Sequence, residues 1–137
     1  MTAFVDTNVL AYLYDGSDET KRDLALEALR AEPDFVVSTQ VLGELFVVLT
    51  RKLGVTEAVA ARAVELAAAR RVVAIDVPLV AAAIALTAAY PISYWDALIV
   101  EAAVAAGCDR LITEDLADGD RVRGVAVVSP FRPRSSV

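Results

Sequence analysis

Short continuous apolar runs alternate along this chain with longer stretches in which apolar residues recur every three to four positions, a pattern that predicts buried strands interleaved with helices. A first strand starts at Thr2 or Ala3 and runs through Phe4-Val5, and Val9 to Tyr14 reads as a short helix. Ser17 is the expected N-cap of an amphipathic helix through about Ala31, with Leu24, Leu26, Ala28 and Leu29 apolar and Pro33 closing the region. Phe35-Val36-Val37 forms a short strand. Ser38 then caps a helix carrying Val41, Leu42, Leu45, Val48 and Leu49, stopped by Gly54. Thr56 caps the next helix, to about Arg70. Val72 to Ile75 is a third strand, and Pro78 sits in the first turn of a helix reaching Tyr90. Ser93 caps the helix that ends at Gly107. Arg110-Leu111-Ile112 makes a fourth strand, and Val125 to Val128, stopped by Pro130, a fifth.

Strands this short and uniformly apolar, alternating with helices, indicate an α/β fold whose parallel sheet is covered on both faces. Its 137 residues suit one domain, burying roughly two-thirds of the unfolded surface. We assign residues 1–131 to that domain and residues 132–137 to a short, disordered C-terminal tail. There are no internal repeats or long linkers.

Composition narrows the chemistry. A formal net charge of −6 and a pI near 4.6 argue against a surface that attracts nucleic acid everywhere, so any RNA must be met at a local basic patch. The single cysteine, Cys108, rules out an internal disulfide, fits a reducing cytosol, and reads as a small core residue. No charged leader or cleavage site precedes the first strand, so a non-secreted, cytoplasmic protein is expected. The alanine-rich stretch around Ala81 to Ala89 lies between Pro78 and Pro91 and is shorter than the ~20 residues of a membrane span. Histidine is absent. Hydrolases built on an imidazole acid/base are therefore excluded, and carboxylates, with or without a metal, would have to do the work.

Four acids occupy positions unusual for solvated charges. Asp6 follows the first strand, Glu44 interrupts the apolar Val41–Leu49 helix, Asp96 lies in the first turn after Ser93, and Asp115 lies just beyond the fourth strand. In a right-handed α/β winding, strand ends and the first turns of following helices share one sheet edge, so these acids have a common place to meet. Two carboxylates about 4 Å apart repel by roughly 4 kcal/mol at an effective dielectric near 20. Clustered, the four would bind a cation or take up protons. Oxygen ligands in that number suit Mg²⁺ or Mn²⁺, ions that support phosphodiester cleavage.

Three of these acids also have a plainer explanation. Asp6 serves as an N-cap, Asp96 favours the positive end of its helix, and Asp115 caps a turn. Glu44 resists such an account, because Leu42, Leu45 and Phe46 surround it. Asp15, Asp18, Glu19, Asp23, Glu27 and Glu57 read as ordinary surface charges. So does Glu101, about 140° around its helix from Asp96. Asp76 reads as a cap before Pro78, and Asp118 and Asp120 flank Gly119 in a turn.

With these residues in view, the chain resembles PIN-domain proteins, specifically the VapC-type toxin ribonucleases of toxin–antitoxin pairs. The resemblance is carried by Val5-Asp6-Thr7-Asn8-Val9-Leu10, by Glu44, by Ser93 to Ile99, by Leu111 to Leu116 and by the closing Val128-Ser129-Pro130-Phe131. It covers almost the entire chain; Asp-Thr-Asn alone is weakly specific, whereas the blocks in this order and spacing are strongly so. It implies a single three-layer α/β/α domain with a central parallel sheet of four to five strands, and an acidic pocket that binds Mg²⁺ or Mn²⁺ and cuts RNA. By motif position, Asp6, Glu44, Asp96 and Asp115 become the metal-binding, catalytic acids, with Thr7, Asn8 and Thr113 as polar supports. Family members often carry a further acid after the one matching Asp115; here Asp118 is the nearest candidate, and Glu114 adjoins the motif. A small VapB-type antitoxin partner is implied as well.

Local cations must supply contacts to RNA or antitoxin. Arg51, about 20° off the face of Glu44, and Lys52 are the first candidates, and Arg121, Arg123, Arg132 and Arg134 form a second cluster. A helix C-terminus favouring positive charge explains Arg51 and Lys52 equally well. Apolar helix faces suggest a homodimer. Other classes remain: a catalytically silent PIN-like binding module, a housekeeping RNA-processing nuclease without an antitoxin, or a receiver-type regulatory domain with Asp76 as phosphoacceptor. The last needs a paired acid after the first strand and a lysine after the fifth. This chain offers only Asp6 and Ser129-Pro130.

Overall fold

The computed structural model describes residues 2–131, so the expected tail from Arg132 to Val137 lies outside the described residues. Strands β1 (Ala3–Val5), β2 (Val36–Ser38), β3 (Arg71–Val73), β4 (Arg110–Ile112), β5 (Arg121–Val122) and β6 (Val125–Val128) form one sheet in the order β3-β2-β1-β4-β6-β5. All neighbours are parallel except β5 and β6. The helices are α1 (Thr7–Tyr12), α2 (Glu19–Arg30), α3 (Thr39–Val47), α4 (Glu57–Ala68), α5 (Val77–Ala89) and α6 (Tyr94–Ala105). No single helix among the described residues is long and apolar enough to cross a membrane.

The strand order explains where a site can form. The chain steps from β1 outward through β2 to β3, then returns to place β4 on the other side of β1. Right-handed crossovers in opposite directions put their helices on opposite faces, and a crevice opens where the direction reverses, at the carboxyl ends of β1 and β4. Asp6 N–H donates to Ile112 O at 3.0 Å, tying the two strand ends together at that point. The core beneath is closed by Phe4, Val9, Leu45, Leu49 and Leu111, all fully buried. Helix α6 is buried at every position from Ala97 to Ala103, so it behaves as a core helix rather than an amphipathic cover.

Local chemistry sets most boundaries where the sequence predicts them. Ser38, Thr56, Asp76 and Ser93 each accept from the backbone N–H three residues on, as N-caps do. Cys108 is a buried core residue, and its thiol pKa is raised by that burial.

Several details differ. Strand β3 runs Arg71–Val73 rather than Val72 to Ile75, and Ile75 N donates to Thr39 Oγ1 at 3.1 Å. Helix α1 begins at Thr7 rather than Val9, because Asp6 itself caps it, accepting from Thr7 N at 2.7 Å. Asp18 rather than Ser17 caps α2, accepting from Lys21 N at 3.0 Å, while Ser17 closes a turn onto Asp15. The third helix does not run as an α-helix to Leu49; after Val47 it widens into a π-helical turn, Val48–Lys52. A sixth strand, β5, pairs antiparallel through a tight turn in which Arg123 (φ 54°) and Gly124 (φ 79°) are both left-handed. Such a turn matches the twist of a hairpin, but it is normally signalled by Asn-Gly or Asp-Gly rather than Arg-Gly. Glu101, expected at the surface, is 4% exposed and forked onto Arg123 at 2.9 and 3.3 Å. The hairpin brings Arg123 to the side of α6 that helical phase alone had assigned to solvent.

Candidate metal centre

Asp6, Asp96 and Asp115 reach the site from three different elements: the end of β1, the first turn of α6, and the loop after β4. Each offers a carboxylate oxygen, and these oxygens lie within 4.8 Å of one another. Glu44, from α3, joins them through Thr7, whose Oγ1 donates to its Oε1 at 3.0 Å. All four acids line one groove of about 740 Å³ at the switch point of the sheet.

Each supporting residue anticipated from the sequence holds an acid in place. Asp6 is 5% exposed, and besides capping α1 its Oδ2 accepts from Thr113 Oγ1 at 2.8 Å. The same Thr113 oxygen accepts from Asp115 N at 3.1 Å, so one hydroxyl links two of the acids. Asn8 Nδ2 donates to Asp115 Oδ2 at 2.9 Å. Its Oδ1 is buried without a hydrogen-bond partner among the described residues. Restricting carboxylate rotation in this way pre-organises a ligand set.

The electrostatics point outward for a cation. Burial pushes Asp6 from its ordinary 3.8 up to about 7 against the pull of its hydrogen bonds, with Asp115 and Glu44 adding repulsion. Glu44 and Asp115 are raised as well, each chiefly by burial, with further repulsion from neighbouring acids. None of the four takes part in an ion pair among the described residues. An all-oxygen donor set with no internal counter-charge fits a hard divalent cation such as Mg²⁺ or Mn²⁺.

The remaining candidates separate from this group. Glu114 lines the groove but is engaged by the α1–α2 region: Tyr12 OH donates to its Oε1 at 3.0 Å and Lys21 Nζ to its Oε2 at 3.2 Å. Lys21 also lies 4.9 and 5.1 Å from the ring centres of Tyr12 and Phe131. Asp118 accepts from Ser129 N at 2.7 Å, closing a turn, and is not among the residues that line the groove. Arg51 does not line the groove whereas Lys52 does. The π-turn inserts a residue into the helical repeat, so the position facing the groove moves on by one. Arg123 is committed to Glu101, and Arg132 and Arg134 lie outside the described residues.

Sequence reasoning missed Tyr12, Lys21, Gln40 and Trp95. Two carried a readable signal: Tyr12 and Gln40 lie four residues from Asn8 and Glu44, one helical turn away on the same face. Gln40 Nε2 donates to the Trp95 carbonyl at 3.3 Å, tying α3 to the start of α6.

Comparison with known proteins agrees with this fold. The PIN domain family model matches residues 3–122. No curated protein gives a significant match. Among solved structures, the sarcin-ricin-loop-cleaving toxin VapC20 of Mycobacterium tuberculosis is 27% identical over 80% of this chain and 86% of its own, with a TM-score of 0.67. A toxin–antitoxin complex from Klebsiella pneumoniae is 25% identical, covering 96% of this chain and 99% of that one, with a TM-score of 0.74. FitAcB of Neisseria gonorrhoeae, at 19% identity, 96% and 99% coverage and a TM-score of 0.69, shares the fold. The chain belongs to the PIN-domain family, with a VapC toxin and toxin–antitoxin complexes among its structural neighbours.

Proposed function

We propose that this chain is a Mg²⁺- or Mn²⁺-dependent endoribonuclease, the cytoplasmic toxin of a VapBC-type toxin–antitoxin pair. The observation that carries the reading is the convergence of Asp6, Asp96 and Asp115 within 4.8 Å on a groove of about 740 Å³, in a chain without histidine. When bound, a divalent cation at these acids would lower the pKa of water and offset charge on phosphate oxygens.

The chain's own residues then have distinct tasks. Thr113 and Asn8 fix the carboxylates of Asp6 and Asp115. Thr7 orients Glu44, whose raised pKa suits it to take a proton from an attacking water. Lys52 on the groove wall supplies a contact for an RNA phosphate or an antitoxin carboxylate. The surplus of acids attracts a cationic antitoxin segment, and toxin–antitoxin complexes among the neighbours support such a partner. Val77 and Ile84, 81% and 58% exposed and two turns apart on α5, offer an apolar face for a homodimer.

The test is cleavage of RNA by the purified protein in Mg²⁺ or Mn²⁺. Asp96→Asn or excess chelator should lower the rate at least about a hundredfold, since a bound cation contributes several kcal/mol to the transition state. Full activity of folded Asp96→Asn, or cleavage undiminished by chelator, would overturn the reading.

A further inference from the structure

Trp95 is the chain's single tryptophan, and it is 62% exposed on the groove beside Asp96. An indole exposed on the groove wall, next to a clustered acid, presents a flat apolar face on which a ligand ring can pack. Its position is fixed on several sides. The Ser93 cap starts α6 at Tyr94, placing Trp95 and Asp96 together in the first turn. Gln40 holds the Trp95 carbonyl, and the ring meets that of Tyr94 nearly edge-on, with centres 5.0 Å apart and planes at 74°.

The rest of the groove narrows the choice of ligand. Besides the four clustered acids it is lined by Asp15 and Glu114, and Lys52 is its single cationic lining residue among the described residues. Away from the metal-binding acids and Lys52, no lining residue offers a cation to a phosphate backbone. Val47, Val48, Leu53 and Ile99 supply apolar wall. The parts of an RNA strand that suit such a wall are its uncharged bases, and every base offers a π-face to an indole.

We infer that Trp95 is a stacking platform for an unpaired nucleobase next to the phosphate presented to the acids. This deepens the nuclease reading above and rests on it. A platform of this kind takes a base only from a strand that can unstack it, so an uninterrupted duplex is the negative control.

Because Trp95 is the sole tryptophan, its emission reports the contact directly. The probe is a short single-stranded RNA of mixed sequence, titrated without divalent metal into Asp6→Asn protein, which cannot cut and carries one acid fewer in the groove, with a duplex of the same sequence and an abasic strand as controls. Single-stranded RNA should quench the emission, and the duplex and abasic strand should not. Trp95→Ala in the same background should bind the single strand about five- to a hundredfold more weakly, with Trp95→Phe retaining most of the affinity. Unchanged emission together with unchanged affinity of Trp95→Ala would overturn the inference. So would an emission shift that depends on protein concentration alone, which would assign Trp95 to contacts between copies of the chain. Cleavage is read separately in protein with Asp6 intact. If that protein fails to cut any RNA, the nuclease reading itself falls; if it cuts and Trp95→Ala cuts with unchanged KM, only the stacking role falls.

Discussion

Two buried acids in this molecule, Asp6 at 5% exposure and Glu101 at 4%, have opposite surroundings. Glu101 receives both arms of the Arg123 guanidinium at 2.9 and 3.3 Å. Asp6 receives a hydroxyl and an amide but no cation, and it stands beside three more carboxylates. A buried charge is ordinarily neutralised by its own chain. Where the fold has done so the acid is structural; where it has withheld the counter-charge, the acid is positioned for one from outside. The hairpin that carries Arg123 and the loop that carries Asp115 are only a few residues apart, yet they serve these two ends.

The contrast yields predictions of decreasing size. The largest concerns pH. The folded pKa of Asp6, about 7, lies above its ordinary 3.8, so its contribution to stability is fully present below pH 4 and is lost as pH rises through 7. The loss is at most on the order of 4 kcal/mol. Thermal unfolding of the metal-free protein should therefore show Tm falling across this window. Asp6→Asn should flatten the profile, and Mg²⁺ should raise the wild-type Tm more at pH 8 than at pH 5. A Tm that climbs from pH 4 to 8 without metal would break the comparison at the Asp6 end.

The Glu101 end is next. Arg123→Ala leaves a buried carboxylate unpaired and should destabilise by about 2 kcal/mol, less than a fully buried pair because the arginine is half-exposed. Arg123→Gly removes the same partner but relieves the left-handed backbone at φ 54°, so its loss should be smaller by roughly 1 kcal/mol. Denaturant titration distinguishes the two. Cleavage per folded molecule should be unchanged in both.

The smallest effect belongs to the Lys21–Tyr12–Glu114 contact, which borders the Asp115 loop. Lys21→Met loosens Glu114, next in sequence to Asp115, and, since Lys21 touches no metal-binding acid itself, should weaken divalent-metal affinity and cleavage by less than the ~tenfold of a direct ligand support, while Tm moves little. Titration of Mn²⁺ with cleavage measured alongside checks it. Equal losses in stability and none in affinity would make the contact purely structural.

How much of this was legible in the sequence depended on the range of the interaction. The caps at Ser38, Thr56, Asp76 and Ser93, and strands β4 and β6, follow from residues a few positions apart, and the structure has them where the sequence predicts. The acids at strand ends were visible for the same reason, whereas a supporting role for Thr7 and Asn8 was implied only by the resemblance to PIN-domain proteins. The failures came where distant segments decide. Glu101 was assigned to solvent by helical phase, which presumes an amphipathic helix, but α6 is buried around its whole circumference. Arg51 was placed on the groove by a regular 100° step that the π-turn interrupts. The hold on Glu114 joins residues 93 and 102 positions apart, beyond the reach of any local pattern.

The central claim is that Asp6, Glu44, Asp96 and Asp115 form one cation site lacking an internal counter-charge. Calorimetric titration of Mn²⁺ near pH 7 tests it most directly, run in two buffers of different ionisation enthalpy so that proton release is measured with binding. The account expects saturable binding accompanied by release of a proton from the acid cluster, and loss of both in Asp6→Asn. Binding that survives Asp6→Asn with the same affinity and the same proton release, or no binding by the folded wild-type chain, would contradict it.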